Sequence, residues 1–366
     1  MLLDVSKYAD QIERRRARRS LAAQLSPNAN VPICFYFNGA FYCELLGVDV
    51  EEYYREPELQ VEVQLKGWQW QMEHLRADSS TCDWIGFETG PIGEAVAFGT
   101  PIFTSQNSPP VSQSIENDLS EILKLQVIPP DRNRLWQSLQ AKAERFAARA
   151  SKLGTNIPVA KFRPPAIHLP LTATCLLADA TQVMLAVGGR TPELDKVLWH
   201  MCHALIEWNA YFYGNGEMWL CDDYICFISE ADFRACLTKH YQFLNTVYSD
   251  RRLCFHADGP LDQHFAHLLD FVSAKKVDIG GFSSLVEERR HLQGRVLFSG
   301  GLNNKDFDKH GLHQTTIKKA LQAIEDSKAE GGFELSIGGQ CYVGVNPDSL
   351  CQLVEIVRSE YNYAIE

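Results

Sequence analysis

Long apolar runs are missing from this sequence: no stretch approaches the roughly 20 consecutive apolar residues that a helix needs to cross a bilayer. Net positive charge is missing too. Lys and Arg number 35 against 46 Asp and Glu, a formal net charge of -11, and a field of that sign attracts neither nucleic acid nor an anionic membrane. The one basic run, Arg14-Arg15-Arg16-Ala17-Arg18-Arg19, is expected to be the solvated face of an N-terminal helix. Cysteine is plentiful at eleven residues, but pairs at metal-finger spacing are absent. Cys34, Cys175, Cys226 and Cys254 sit inside apolar runs, where a thiol behaves as a small hydrophobe, and this suits a reducing compartment rather than a disulfide framework. The opening stretch "MLLDVSKYADQIERRRARR" has no apolar core followed by a small-residue cleavage site, so no secretory signal is expected. These readings point to a cytoplasmic protein with no nucleic-acid or membrane partner.

What is present is a large potential core: 366 residues, 45% hydrophobic and 22% charged. Short β-branched or aromatic runs alternate with longer helical patterns, the signature of βα units around a parallel sheet. The candidate strands are Val31 to Asn38, Asp83 to Thr89, Ala166 to Pro170, Glu217 to Asp223, Arg252 to Asp258, Lys276 to Phe282, Arg295 to Gly301 and Phe333 to Gly339. Between them fall helical patterns such as Leu261 to Val272, where Leu261, Phe265, Leu268, Leu269 and Val272 form a 3.6-residue stripe. Eight strands, each followed by a helix, predict a (β/α)8 TIM barrel over residues 31–366, preceded by an N-terminal helical extension, residues 1–30. The Gly, Pro and Ser content of Gly90 to Arg132 forbids a continuous helix. A long loop insertion after strand 2 is therefore expected, forming a lid or pocket wall.

In such a barrel the chemistry comes from polar residues at the C-terminal ends of the strands. Those ends supply Asn38, Glu88, His168, Asp222 with Asp223, and His256 with Asp258, and Cys341 lies just past the eighth. His256 and Asp258 are two apart, so on an extended strand both point to one side and can face one substrate or one metal. Imidazole, carboxylate and thiolate are all zinc ligands, which makes His256, Asp258 and Cys341 the candidate metal set. Asp223 joins His256 and Asp258 as a candidate catalytic group. Asn38, Glu88, His168 and Asp222 are candidate substrate contacts. Alternation puts only one of Asp222 and Asp223 into the mouth, leaving the other a helix-capping or solvent role. His264 and His267, on the helix after strand five, are expected at the surface.

The blocks "CFHADGPLDQHFAHLLDF", "KVDIGGF", "GRVLFSGGLNN" and "GGFELSIGGQCYVGVNPDSLCQLVEIVR" resemble the C-terminal half of the uroporphyrinogen decarboxylase superfamily. Upstream, "ELLGVDVEEYYREPELQVEVQLKGWQWQ", "GPIGEAVAFGTPIF" and "MWLCDDYICFISEADFRACLTKHY" are similar to blocks of its methyltransferase-like members. The resemblance covers roughly residues 30 to 360 and implies a (β/α)8 barrel. It implies one of two chemistries: metal-free decarboxylation of a carboxylate-rich tetrapyrrole, or corrinoid-dependent methyl transfer at a zinc held by a His-x-Cys and a later cysteine. The decarboxylases' arginines after strand one have no counterpart in "FYFNGAFYCELLG". The His-x-Cys is here His256-Ala257-Asp258, and Gly339 stands where the later ligand or the decarboxylases' histidine would fall. The expected function is methyl or one-carbon-group transfer on a small polar substrate, with zinc and a corrinoid partner protein implied and a homodimer compatible with it. The alternatives are a metal-free decarboxylase needing no cofactor, and a non-catalytic corrinoid- or ligand-binding barrel.

Overall fold

The computed structural model of the chain describes residues 3–27, 30–114, 118–213, 218–249 and 253–361. Glu217 and Arg252, at the starts of two predicted strands, lie outside the described residues. Within them the protein is mixed α/β. An antiparallel hairpin pairs β1 (Ile102–Ser105) with β2 (Ser108–Ser112). A five-stranded sheet then runs β3 (Met218–Cys221), β4 (Leu253–Ala257), β5 (Ala274–Ile279), β6 (Leu297–Gly301) and β7 (Phe333–Ser336) in chain order, with every neighbouring pair parallel.

Register decides what each face of this sheet carries. Cys221, His256, Asp278, Ser299 and Glu334 pair across the five strands as one row, and the period of two puts Cys254 and Lys276 on the same face. The intervening Leu220, Phe255, Val277 and Phe298 are buried in the main apolar core. Helices cover that second face, as parallel strands joined by helical crossovers require. The sheet is thus apolar towards its helices and polar on its other face.

Only five of the eight predicted strands form ladders. The other three segments are extended but bond in a different way. Residues around Ile33 run parallel to β7 through the bridge Ile33 to Leu335, with Cys34 N–H donating to Leu335 O at 2.9 Å. Leu169 N–H donates to Cys221 O at 2.9 Å, beside β3, and a helix begins at once with Pro170. Between these edges the ladder is replaced by side chains. Asp78 accepts from Ile33 N–H (2.9 Å), and Ser79 Oγ pairs with Phe35 N–H and C=O. Gln60 and Gln64 stand four apart on the helix Pro57–Trp70, so both project from one face of it. Their amides exchange paired hydrogen bonds of 2.7–2.9 Å with the backbone of Glu88 and Gly86 respectively. A glutamine amide has the donor and acceptor of a peptide group, so a helix serves here as the neighbouring strand.

The basic run forms a solvated face only in part: Arg14 and Arg16 are exposed. Arg15 and Arg18, on the helix Ala9–Ala23, are buried. Arg15 donates to Ser80 O at 2.8 Å, and Arg18 pairs with the buried Asp78 at 2.6 Å. Arg19 approaches Glu334 near the start of β7, and Glu334 also holds Lys276 at 2.9 Å. The arginines are drawn in because carboxylates and carbonyls at the N-terminal ends of the strands need donors. The helix therefore packs onto the sheet end opposite His256. The segment Gly90 to Arg132 is likewise more ordered than a loop: it holds a helix Gly93–Phe98, the β1–β2 hairpin and a helix Leu119–Ile122.

Beneath the helix Leu285–Leu292, Glu288 is 1% exposed and neither carboxylate oxygen has a hydrogen-bond partner among the described residues. Burial pushes its carboxyl well up, reinforced by Asp262 and opposed by Lys319. Folded Glu288 holds its proton where the unfolded chain, with a pKa of about 4.3, has lost it, so unfolding releases a proton and stability falls as pH rises above that value. Urea denaturation of Glu288→Gln from pH 5 to pH 8 is expected to show a growing gain over wild type, roughly 1–3 kcal/mol at the upper end. A difference that stays constant with pH would show that the folded carboxyl is not held protonated.

Candidate active site

The site is built on the polar face of the sheet at the C-terminal ends of β3, β4 and β5. His256 is the fourth residue of β4, and its partner in register on β5 is Asp278. The imidazole Nδ1 lies 3.1 Å from Asp278 Oδ2. Asp278 is in turn fixed by two donors: Ser299 Oγ–H of β6 to Oδ1 at 2.6 Å, and Gly339 N–H to Oδ2 at 2.8 Å. With Nδ1 engaged, Nε2 turns to the opening, 3.7 Å from Asp258 Oδ1 and 3.9 Å from Asp223 Oδ1. Asp223 also accepts from the backbone N–H of Asp258 at 3.0 Å, which locks the β3 and β4 loops together. One ligand atom each of Asp223, His256 and Asp258 falls within 4.8 Å of the others.

Exposure grades outward. Side-chain exposure is 8% for Asp278, 15% for His256, 36% for Asp223 and 65% for Asp258, so the group is a cup with a buried base and a wet rim. Burial opposes the charge on His256, but the carboxylates of Asp258 beside Nε2 and Asp278 on Nδ1 outweigh it and hold the imidazole well above its ordinary value. Asp278 is shifted the other way: burial opposes its charge, and the His256 hydrogen bond overcomes it, leaving the carboxyl below the usual range.

Gly339 shows why no ligand side chain occupies its position. Its φ is +61°, and a Cβ there would lie 3.1 Å from His256 Cε1, so backbone takes the place of a side chain and its N–H serves Asp278. Cys341, two residues on, is buried with its backbone paired to the segment around Tyr36 and Phe37. Burial pushes its thiol well up, and it is not one of the three converging residues.

None of the remaining sequence candidates joins the three converging side chains. Asp222 is 0% exposed and points away from the cup. It accepts from Thr172 N–H and Oγ–H and from the Tyr241 hydroxyl, anchoring the first turn of the helix Pro170–Leu177. The Asp222–Asp223 alternation thus places one carboxylate in the site, and the other is buried as a helix anchor rather than solvated. Asn38 Oδ1 caps the helix Gly39–Leu46 by accepting from Phe41 N–H. Glu88 accepts from Gly39 N–H at 3.0 Å, and burial pushes its carboxyl up to about 7. It lines a separate cavity of about 200 Å³ with Tyr36, Gln64 and Gln340, a space that does not include His256. His168 pairs through Nδ1 with the buried Glu94 at 2.8 Å. His264 is not a surface residue: it is 2% exposed, and its Nε2 meets Ile225 O (3.0 Å) and Ile228 O (3.2 Å), because the loop after β3 folds over it. His267 is partly exposed and lies 2.9 Å from Glu230.

Sequence reasoning missed Asp278, Ser299 and Glu94. Asp278 sat inside a run already identified as a strand, and an acidic residue between Val277 and Ile279 was the signal available. Glu94 lies in a segment expected to be loop, where nothing announced a partner for His168.

No protein-family model and no curated protein matches the sequence. In three dimensions the chain is similar to a methyltransferase from Methanosarcina mazei, with a TM-score of 0.63 over 95% of this chain and 99% of that one and 16% identical residues. At that identity the likeness is one of fold, and the chain has the fold of that methyltransferase.

Proposed function

We propose that the protein is a methyl or one-carbon-group transferase of the uroporphyrinogen decarboxylase superfamily, cytoplasmic and acting on a small polar substrate. On this reading the three extended segments complete the five-stranded sheet to a closed (β/α)8 barrel, and the cup is its mouth. The observation that carries the proposal is the convergence of Asp223, His256 and Asp258 within 4.8 Å, with His256 oriented by a buried carboxylate. The fold likeness to a methyltransferase supports it.

The donor set fits a divalent metal. His256 Nε2 and one oxygen each from Asp223 and Asp258 would hold the ion and leave positions open to substrate. Two carboxylates and one imidazole are harder than a cysteine-rich set, so zinc has manganese-like ions as competitors. Such a metal supplies Lewis acidity to an acceptor heteroatom. The chain's own residues do the rest. Asp278 takes the Nδ1 proton of His256 into a hydrogen bond and fixes the tautomer with Nε2 facing the cup. Ser299 and Gly339 keep Asp278 from rotating, and the exposed Asp258 carboxylate meets substrate at the rim. A corrinoid protein is the proposed methyl donor.

The test is transfer from methylcob(III)alamin to a panel of small thiols, amines and alcohols, followed by loss of the methyl-cobalt absorbance. Wild type is expected to turn over, and His256→Ala to lose about 100-fold or more. Full activity in His256→Ala would remove the cup from the reaction. Calorimetric titration with Zn2+ and Mn2+ is expected to give one site per chain, weakened about 10- to 100-fold by Asp278→Asn through loss of the orienting carboxylate. No metal uptake together with no methyl transfer would shift the assignment to metal-free decarboxylation, where a cationic His256 would stabilise a developing carbanion.

A further inference from the structure

The cup has a second imidazole beside it, supported as carefully as the first. Glu94 is 0% exposed, in the first turn of the helix Gly93–Phe98. A buried carboxylate needs donors, and His168 supplies two of them. Glu94 Oε1 accepts the backbone N–H of His168 at 2.9 Å and meets its Nδ1 at 2.8 Å, while Ser112 Oγ lies 3.4 Å from Oε2. Gly93 lets this helix press against the same segment, since a Cβ there would be 2.0 Å from Ala166 O.

The segment that carries His168 is fastened along the end of β3. Leu169 N–H donates to Cys221 O, Thr172 N–H and Oγ–H donate to Asp222, and Tyr224 N–H donates to Thr172 Oγ1. Residues 168–172 therefore run beside residues 221–224, the stretch that delivers Asp223 to the cup. His168 is 15% exposed, the same fraction as His256, and its Nε2 has no hydrogen-bond partner among the described residues. The two histidines thus share one design: Nδ1 rests on a buried carboxylate, and Nε2 makes no hydrogen bond among the described residues.

We propose that His168 is the proton acceptor of the transfer reaction and that Glu94 is its positioning residue, a role that rests on the transferase reading above. His256 has Asp223 and Asp258 around its Nε2, which commits it to the ligand position, and His168 is the imidazole that stays free. When the acceptor X–H is methylated, its X–H bond breaks and the proton passes to His168 Nε2. The electron pair on X forms the new bond to the methyl carbon. The bond between methyl and donor breaks with its pair left on the donor, and the imidazolium then releases its proton to water.

The carboxylates whose charge acts on His168 are Glu94, bonded to its Nδ1, and at longer range Asp223 and Asp222. Burial opposes its charge, but these carboxylates, Glu94 first, hold the imidazole above its ordinary value. The neutral imidazole is the active form, so activity is lost as pH falls through the His168 pKa. Removing the Glu94 charge lowers that pKa and moves the acid limb to lower pH.

The decisive experiment combines imidazole ¹⁵N NMR with pH profiles of methyl transfer from methylcob(III)alamin for wild type, Glu94→Gln and His168→Gln. Glu94→Gln keeps a side-chain oxygen for the backbone of His168, and His168→Gln removes the imidazole alone should the buried change prevent folding. The expected results are a His168 pKa lowered by about one unit or more in Glu94→Gln, an acid limb of kcat that moves with it at nearly constant KM, and kcat about 100-fold lower in His168→Gln. An acid limb that stays in place, or a His168→Gln enzyme of full kcat, overturns the role of the dyad while wild-type turnover leaves the transferase reading standing. No turnover by wild type overturns both.

Discussion

The hydrogen bond between His256 and Asp278 is the interaction on which the site depends. It crosses from β4 to β5 at one level of the sheet, fixes which imidazole nitrogen faces outward, and is fixed by Ser299 from β6 and Gly339 beyond β7. Four consecutive strand ends are thus tied to one carboxylate. A buried carboxylate with no donors would cost several kcal/mol or take up a proton. Asp278 is stable as an anion because its oxygens are satisfied, and that charge is what holds the imidazole.

The same logic is repeated one layer below on the same face. Lys276, two residues before Asp278, pairs with Glu334, and Arg19 from the N-terminal helix approaches the same carboxylate. The polar face of the sheet therefore carries two layers. The lower one is closed by cations and covered by a helix, and the upper one is left with open valences. Polar burial at the lower end costs desolvation that the ion pairs offset, while the upper end exposes its groups by degrees to water. This difference in closure, more than residue type, leaves one layer sealed and the other open.

Much of the site was legible as a pattern. His256 and Asp258 at a spacing of two, and one of the Asp222–Asp223 pair, followed from strand periodicity, and the structure brings His256, Asp223 and Asp258 together. What was not legible was everything held by partners distant in sequence. Asp278 is a strand residue 22 positions away, and Glu94 is 74 positions from His168. The ladders failed to appear around residues 31–37 and 83–89 for a related reason. Glutamine, serine and aspartate side chains satisfied the backbone there, and a periodicity of apolar residues carries no trace of which group will bond to a peptide.

The amino-acid sequence alone determined the alternation of strands and helices, the absence of a membrane-spanning apolar run among the described residues, and the parity that sends His256 and Asp258 to one side. These are local properties, set by side-chain period and backbone preference. Only the tertiary structure decided that Arg15 and Arg18 turn inward, that Asp222 anchors a helix, that Cys341 stays out of the cup and that two histidines each rest on a buried carboxylate. The physical reason is that burial and hydrogen-bond satisfaction are properties of the space between elements, and that space exists only after the chain has closed on itself.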